Sequence, residues 1–263
     1  MNTFAKSIKY WRNNRGLSQL DLSLDADVSS KHISFLETGK SLPSKKMVIH
    51  LSQVLNIPLF ERNRLLSQSG FATIYSKNDL QQVDMQPVYQ AISLILENHN
   101  PYPAVVLDWD WNLLMDNTTF QMINAQIRKI NPNFSDNNNF IELLFDPNGY
   151  RPFIENWEEF AYVLLQRIYR ERSFRPDQHN KLLNNIFQFP EIPADWKKHI
   201  SDSNMNPMLS VILNIGEVHL KLFSTLATFG TPVDITMQEL VIEQYFPADE
   251  LTKQFFNSLT LSE

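Results

Sequence analysis

The sequence predicts two folds in tandem: an all-α five-helix module, then an α+β domain with an antiparallel sheet. Three observations carry this expectation. Apolar residues in the first seventy positions recur at helical spacing between strong cap signals. Towards the C-terminus, apolar runs are instead cut by short turns at Asn214 to Glu217 and Gly230 to Pro232, as in antiparallel strands. Charge divides in the same way. Residues 1–70 hold ten Lys/Arg and five Asp/Glu, whereas residues 71–263 hold thirteen and twenty-four. A basic module suits a polyanion, and an acidic remainder would be repelled by one. The expected division is 1–70, a linker and connecting helix at 71–100, and a sheet domain at 101–263.

The 263 residues are 43% hydrophobic and 20% charged, which excludes a mostly disordered chain. There is no cysteine, so disulfides, thiolate zinc sites, iron–sulfur clusters and cysteine nucleophiles are excluded. No apolar run is long enough to span a bilayer, and residues 1–14 lack the apolar core of a signal peptide. The expected location is the cytoplasm, with no membrane partner.

Phe4, Ile8 and Trp11 make the apolar face of a first helix, and Gly16 ends it. Ser18 is the N-cap of the second, with Asp21 three residues on as a shortened capping box. The same signal recurs at Ser29, and Gly39 closes the third helix as a left-handed cap. Only a tight turn lies between them, so the pair reads as helix-turn-helix. Pro43-Ser44 opens a fourth helix carrying Met47, Val48, Leu51, Val54 and Leu55. Pro58 opens a fifth carrying Leu59, Leu65 and Leu66, and Gly70 ends it.

Residues 4–66 resemble the helix-turn-helix of the Cro and lambda-repressor type. The resemblance rests on Leu17-Ser18-Gln19, Val28-Ser29, the run Ile33 to Lys40 and Pro43-Ser44. It implies that the helix at 29–38 enters the major groove of double-stranded DNA, led by Ser29, Ser30, Lys31 and Ser34. Lys31 can donate to guanine O6 and N7, and Phe35 can touch a thymine methyl. Phe35 is equally readable as a core or interface aromatic. Gln19 matches the phosphate-contacting glutamine of the family, beside the exposed N–H groups of a helix start. Lys40 lies where the family meets the DNA backbone, or is a solvated lysine. His32 is either a phosphate contact or plain surface. Glu37 is expected to face a partner inside the module, because an acid gains nothing near phosphates.

Residues 71–86 have no strong period and read as a linker or short helix. Val88, Ile92, Ile95 and Leu96 mark an amphipathic helix to about Asn98, broken by Pro101 and Pro103. Ala104 to Leu107 reads as a strand, Asp108 to Asp110 as a turn, and Trp111 to Met115 as the returning strand. Asn117 can cap a helix carrying Phe120, Ile123, Ile127 and Ile130. Asparagine-rich 131–139 is a loop. Helices follow at Trp157 to Arg172 and around 178–188. Strands are expected at Met208–Leu213, Val218–Phe229 and Ile235–Tyr245.

That order resembles a PAS-like sensor domain. A wider resemblance, to the MmyB-like transcriptional regulators, rests on HISFLETG from His32, ERNRLL from Glu61 and PAVVLDWDWNLLMDN from Pro103. NWEE from Asn156, FSTLATFGTP from Phe223 and FPADE from Phe246 complete it. It implies a DNA-binding transcriptional regulator with a PAS-like ligand-binding domain, whose pocket in the family is associated with long-chain fatty acids. An apolar ligand needs an apolar sleeve and, for an acid, a polar group at its mouth. Arg151 is a candidate, since a guanidinium grips a carboxylate through two hydrogen bonds; a surface ion pair is the competing reading. Tyr102, Asn117 and Asn156 can hydrogen-bond a head group or satisfy backbone at turns and caps. Trp157 and Phe229 read as sleeve or core.

Nothing points to an enzyme. The six histidines include no metal-binding i, i+4 pair, and no phosphate loop, GxSxG or GxGxxG occurs. No catalytic residue, metal or cofactor is expected. The expected function is a homodimeric regulator that couples a small apolar ligand to DNA. Two alternatives stay open: a regulator whose sheet domain serves only dimerisation or protein docking, and an unrecognised hydrolase with a DNA-binding appendage.

Overall fold

The structure is a computed structural model that describes residues 3–171, 176–193, 196, 210–230 and 232–259. The chain forms two compact units, residues 1–82 with 229–238 and residues 83–228 with 239–263.

In the first unit, α1 (Thr3–Asn14), α2 (Gln19–Asp25), α3 (Ser30–Thr38), α4 (Lys45–Val54) and α5 (Leu59–Gln68) follow in order. The caps are local chemistry. Ser18 Oγ accepts from Asp21 N and the Asp21 carboxylate accepts from Ser18 N, which completes the capping box. Ser29 and Ser44 cap α3 and α4 in the same manner. Gly39 ends α3 at φ 74°, a left-handed conformation that glycine adopts without Cβ strain. One face of each helix meets in a common core: Phe4, Ile8 and Trp11 from α1, Leu22, Ile33, Leu36, Val48, Leu51, Leu65 and Leu66. Each such side chain gains about 1.5–3 kcal/mol on burial, which offsets the entropy of ordering a short helix. Residues 71–82 then form neither helix nor strand; Asn63 holds part of them, its Oδ1 accepting from Ile74 N and Tyr75 N while its Nδ2 donates to Tyr75 O.

The second unit begins with α6 (Gln86–His99), then β1 (Ala104–Leu107), β2 (Leu113–Asp116), α7 (Thr118–Ile130), α8 (Phe140–Phe145), α9 (Trp157–Glu171) and α10 (Pro176–Ile186). The strands β3 (Ser210–Ile215), β4 (Val218–Ala227) and β5 (Val241–Pro247) follow, with α11 (Ile235–Glu239) between β4 and β5, and α12 (Glu250–Leu259) at the end. The five strands lie in the order β2-β1-β5-β4-β3 and every pair is antiparallel. β5 is therefore central, pairing Ile242 with Val106 on one side and Tyr245 with Ser224 on the other. The core gathers Phe120 and Ile127 of α7, α8, Ala161, Leu165 and Ile168 of α9, and the inward residues of β3 and β4.

The strand expected at Ile235–Tyr245 is corrected. Residues 235–239 are helical and the strand begins at Val241. Asp234 is the physical reason: its Oδ1 accepts from Thr236 N and starts a turn. The strand expected to reach Phe229 stops at Ala227. The return strand of the hairpin starts at Leu113 rather than Trp111, because Trp111 sits at φ 67° and closes the turn by donating from its N–H to Asp108 O. Met208 and Leu209, expected at the head of β3, lie outside the described residues. The helices α8 and α12 are findings of the structure. Asp249 starts α12 by accepting from Thr252 N.

Candidate nucleic-acid interface and ligand cavity

The first candidate site is the outward row of α3. Ile33 and Leu36 point into the core, so Ser30, Lys31, Ser34 and Phe35 fall on the opposite side. Phe35 is 37% exposed, which removes the core reading of this ring. The Lys31 ammonium stands 5.6 Å from its centroid and that of Lys40 stands 5.8 Å away. Two cations thus flank one exposed aromatic face. Ser29 and Ser30 are exposed, and His32 is half-buried on the same turn.

Gln19 lies at the start of α2 and its Nε2 donates to Glu37 Oε2 at 2.8 Å. Glu37 is buried and paired with Arg12. This is the internal partner expected for the acid. Gln19 is therefore held in one orientation by a buried carboxylate, with a second amide N–H still to give.

The second candidate site is a cavity inside the sheet unit. An apolar space of about 50 Å³ is lined by Phe120, Ile123, Phe140, Leu144 and Tyr150 among others. A larger space of about 280 Å³ shares Phe140, Leu144, Phe160, Val211, Leu222 and Tyr245 with it. The larger space alone lies just below the roughly 300–1,000 Å³ that small-molecule sites occupy. The larger space has a polar side made by Arg167 of α9, Ser224 of β4, and Glu243 and Tyr245 of β5. Ser224 Oγ donates to Glu243 Oε1 at 2.7 Å. The Arg167 guanidinium lies over the Trp111 ring at 4.2 Å, which fixes its plane. Burial pushes the Tyr245 hydroxyl well above its ordinary range, and the charge of Glu243 pushes it further.

The ligand-site residues singled out from sequence do not line these two spaces. Asn117 Oδ1 accepts from Ala104 N and Phe120 N, and its Nδ2 donates to Tyr102 O at 2.8 Å. Asn156 Nδ2 donates to Ser210 O, and its Oδ1 accepts from Ile212 N. Both amides are spent on backbone, one tying the hairpin to α7 and the other tying α9 to β3. Arg151 is ion-paired with Glu191 and stacked on Trp157. The Tyr102 ring packs against His99, Phe246 and Phe256. Phe229 lies in the first unit, beyond the end of β4. Sequence reasoning missed Arg167, Ser224 and Glu243. Their only sequence signal is a polar residue on an otherwise inward-facing strand or helix position.

Among the described residues no group of three or more metal-ligating side chains comes together. No helix among them is long and apolar enough to cross a membrane.

A family model described as the MmyB-like transcription regulator ligand binding domain matches residues 88–259, more than half of the chain. A helix-turn-helix model matches residues 8–62. No curated protein matches the chain.

Proposed function

The chain belongs to the MmyB-like transcription regulators, a DNA-binding helix-turn-helix module joined to a ligand-binding domain, and from that premise we propose how each part works. Residues 1–70 read double-stranded DNA, as a homodimer on two half-sites. The α3 row Ser30, Lys31, Ser34 and Phe35 meets base edges, with Ser29 and His32 beside it. Gln19 and Lys40 meet phosphate. The observation that supports this most is the outward face of α3, where Lys31 and Lys40 stand 5.6 and 5.8 Å from the Phe35 ring and present two cations on one surface.

Residues 101–263 form a PAS-like sensor, a reading supported by the hairpin–helices–three-strand order closing on β1. Its ligand is a long-chain fatty acid. The apolar space takes the chain, and Arg167 faces the carboxylate across the polar side with the Ser224 hydroxyl. The buried Glu243 makes that arrangement sensitive to the charge of the head group. The protein works in the cytoplasm without catalysis. Ligand acts only through its differential affinity for DNA-competent and DNA-incompetent arrangements.

Native mass spectrometry of the purified full chain tests the ligand, with release on mild unfolding. A species of fatty-acid mass, lost in Arg167→Ala, supports the reading. An empty protein whose melting temperature does not respond to added palmitate rejects it, and a protein-docking role for the sheet domain takes its place.

A further inference from the structure

The connection between β4 and β5 does not stay with the sheet it joins. Residues 229–238 belong to the same compact unit as residues 1–82. Four bonds hold them there. Ile235 N donates to Ser76 O at 2.9 Å. Thr236 Oγ1 donates to Asn78 O at 2.6 Å, and Asn78 Nδ2 donates to Asp234 Oδ2 at 3.2 Å. The fourth reaches a DNA-module helix directly: Leu59 N donates to Gln238 Oε1 at 2.6 Å.

That last bond answers a local deficit. The first four N–H groups of a helix have no partner within it. The N-cap of α5 is Pro58, which offers no side-chain cap. Gln238, far along the chain, caps α5 in its place. Asp234 is only 6% exposed, and its two oxygens are used by Thr236 N and the Asn78 amide. The segment is thus a built attachment rather than a loop lying on a surface.

The other end of the connection is equally committed. β4 and β5 stay paired through Leu226 with Glu243 and Ala227 with Ile242, the last rungs before the connection leaves and after it returns. Leu222, Ser224 and Leu226 of β4 and Glu243 and Tyr245 of β5 line the larger cavity space. On the β5 side only Glu239 and Leu240 separate Gln238 from the start of the strand, so a shift of β5 has a short path to the attachment.

We propose that residues 234–238 are a strap that carries the state of the cavity to the N-terminus of α5, with Gln238 as the positioning residue. The strap rests on the cavity being the ligand site, but its mechanics do not depend on which ligand fills it. Coupling of this kind requires an element that both sites bias, and α5 capped from the strap is such an element. A cap made by a distant segment responds to that segment's position, whereas a serine cap responds only to its own turn.

Hydrogen exchange of the full chain tests this. Val211→Phe fills the cavity with a side chain in place of a ligand, and Leu222→Ala enlarges it, so that at least one folded perturbation is in hand. The expected result is that the amides of the first turn of α5 change exchange by about fivefold or more in the perturbed protein. With Gln238→Ala and Thr236→Ala added, that response disappears while the response of β4 and β5 remains. An unchanged α5 beside altered β4 and β5 overturns the strap. Palmitate is run in parallel, with its binding read by complex mass. If it does not bind yet Val211→Phe moves α5, the strap stands and the fatty-acid reading falls.

Discussion

Arg12 and Glu37 form a buried two-pronged ion pair at the centre of the DNA-binding module. Nε and Nη2 of Arg12 donate to the two Glu37 oxygens at 2.6 and 3.0 Å. Their exposures are 7% and 2%. The third prong, Nη1, donates to Leu17 O at 2.6 Å. One guanidinium thus ties α1 to the start of α2 and to α3, and Glu37 passes the order on to Gln19. The hydrogen bonds that Arg12 donates to Glu37, more than the charge of that carboxylate, raise the Arg12 pKa above its ordinary value, against the opposing effect of burial.

Removing one partner leaves a buried charge alone. Glu37→Ala is expected to lower stability by about 3–5 kcal/mol, read from urea midpoints of the full chain. Arg12→Met with Glu37→Leu, which removes both charges at similar volume, is expected to recover most of that loss. A double variant as unstable as the single one would mean that the pair supplies more than its own neutralisation.

Lys31 and Lys40 stand on the same aromatic ring but have different expected effects on DNA. Lys31→Ala should relax preference at one base position by about 1–3 kcal/mol. Lys40→Ala should weaken all duplexes alike and lower the salt slope by about one. Selection from a random duplex pool, followed by anisotropy titrations at several salt concentrations, separates the two. Equal weakening on every sequence by Lys31→Ala would displace α3 from the groove.

His99 makes the sheet unit sensitive to acid. Its Nε2 donates to Tyr245 O at 2.8 Å, and Gln244 Nε2 donates to its Nδ1 at 3.2 Å, an arrangement that needs the neutral ring. Burial lowers its pKa below the ordinary 6.5, against a smaller opposing effect of the Tyr245 carbonyl. The folded protein therefore binds fewer protons than the unfolded chain just below that value. Stability from this site is complete above it and is lost as pH falls through 6.5 towards the folded pKa, at no more than about 1.4 kcal/mol per pH unit. Urea midpoints between neutral and mildly acid pH should show this fall, and His99→Gln should flatten it. Asp21 and Asp249 act in a lower window. Their carboxylates are held below 3.8 chiefly by hydrogen bonds from Ser18 and Thr252, so their contribution is lost only as pH falls below that value.

Gly149 closes the turn after α8, where a Cβ would stand 2.1 Å from the Leu143 carbonyl oxygen. That oxygen already accepts from Tyr150 N, so it has no room to retreat. Gly149→Ala is expected to cost about 1–3 kcal/mol, read as a lowered melting temperature, with Tyr150 displaced from the cavity wall. An unchanged melting temperature would mean that the turn re-forms freely.

The helix-turn-helix was legible because everything it needs lies within a few residues. Ser18, Asp21, Ser29 and Gly39 each act on their own turn, and the stripes Phe4-Ile8-Trp11 and Ile33-Leu36 each describe one helix face. The first strand of the hairpin and the helices α6, α7, α9 and α10 of the second unit were legible for the same reason. Ile235 to Glu239 was not, because an apolar pattern of that length suits a strand as well as a helix and the choice lay with Asp234.

The sequence by itself determined the two-part organisation, the helix starts and stops of the first unit, and which face of α3 looks outward, since these follow from short-range sterics and periodicity. Only the tertiary structure decided how the polar groups are used. Asn117 and Asn156 went to backbone partners, and Arg167, Ser224 and Glu243 came together on one cavity wall because the strand order places β4 beside β5. Gln238 came to cap Leu59 across 179 positions. A hydrogen bond at that distance along the chain has no local signature, because it exists only after both segments have been folded into place.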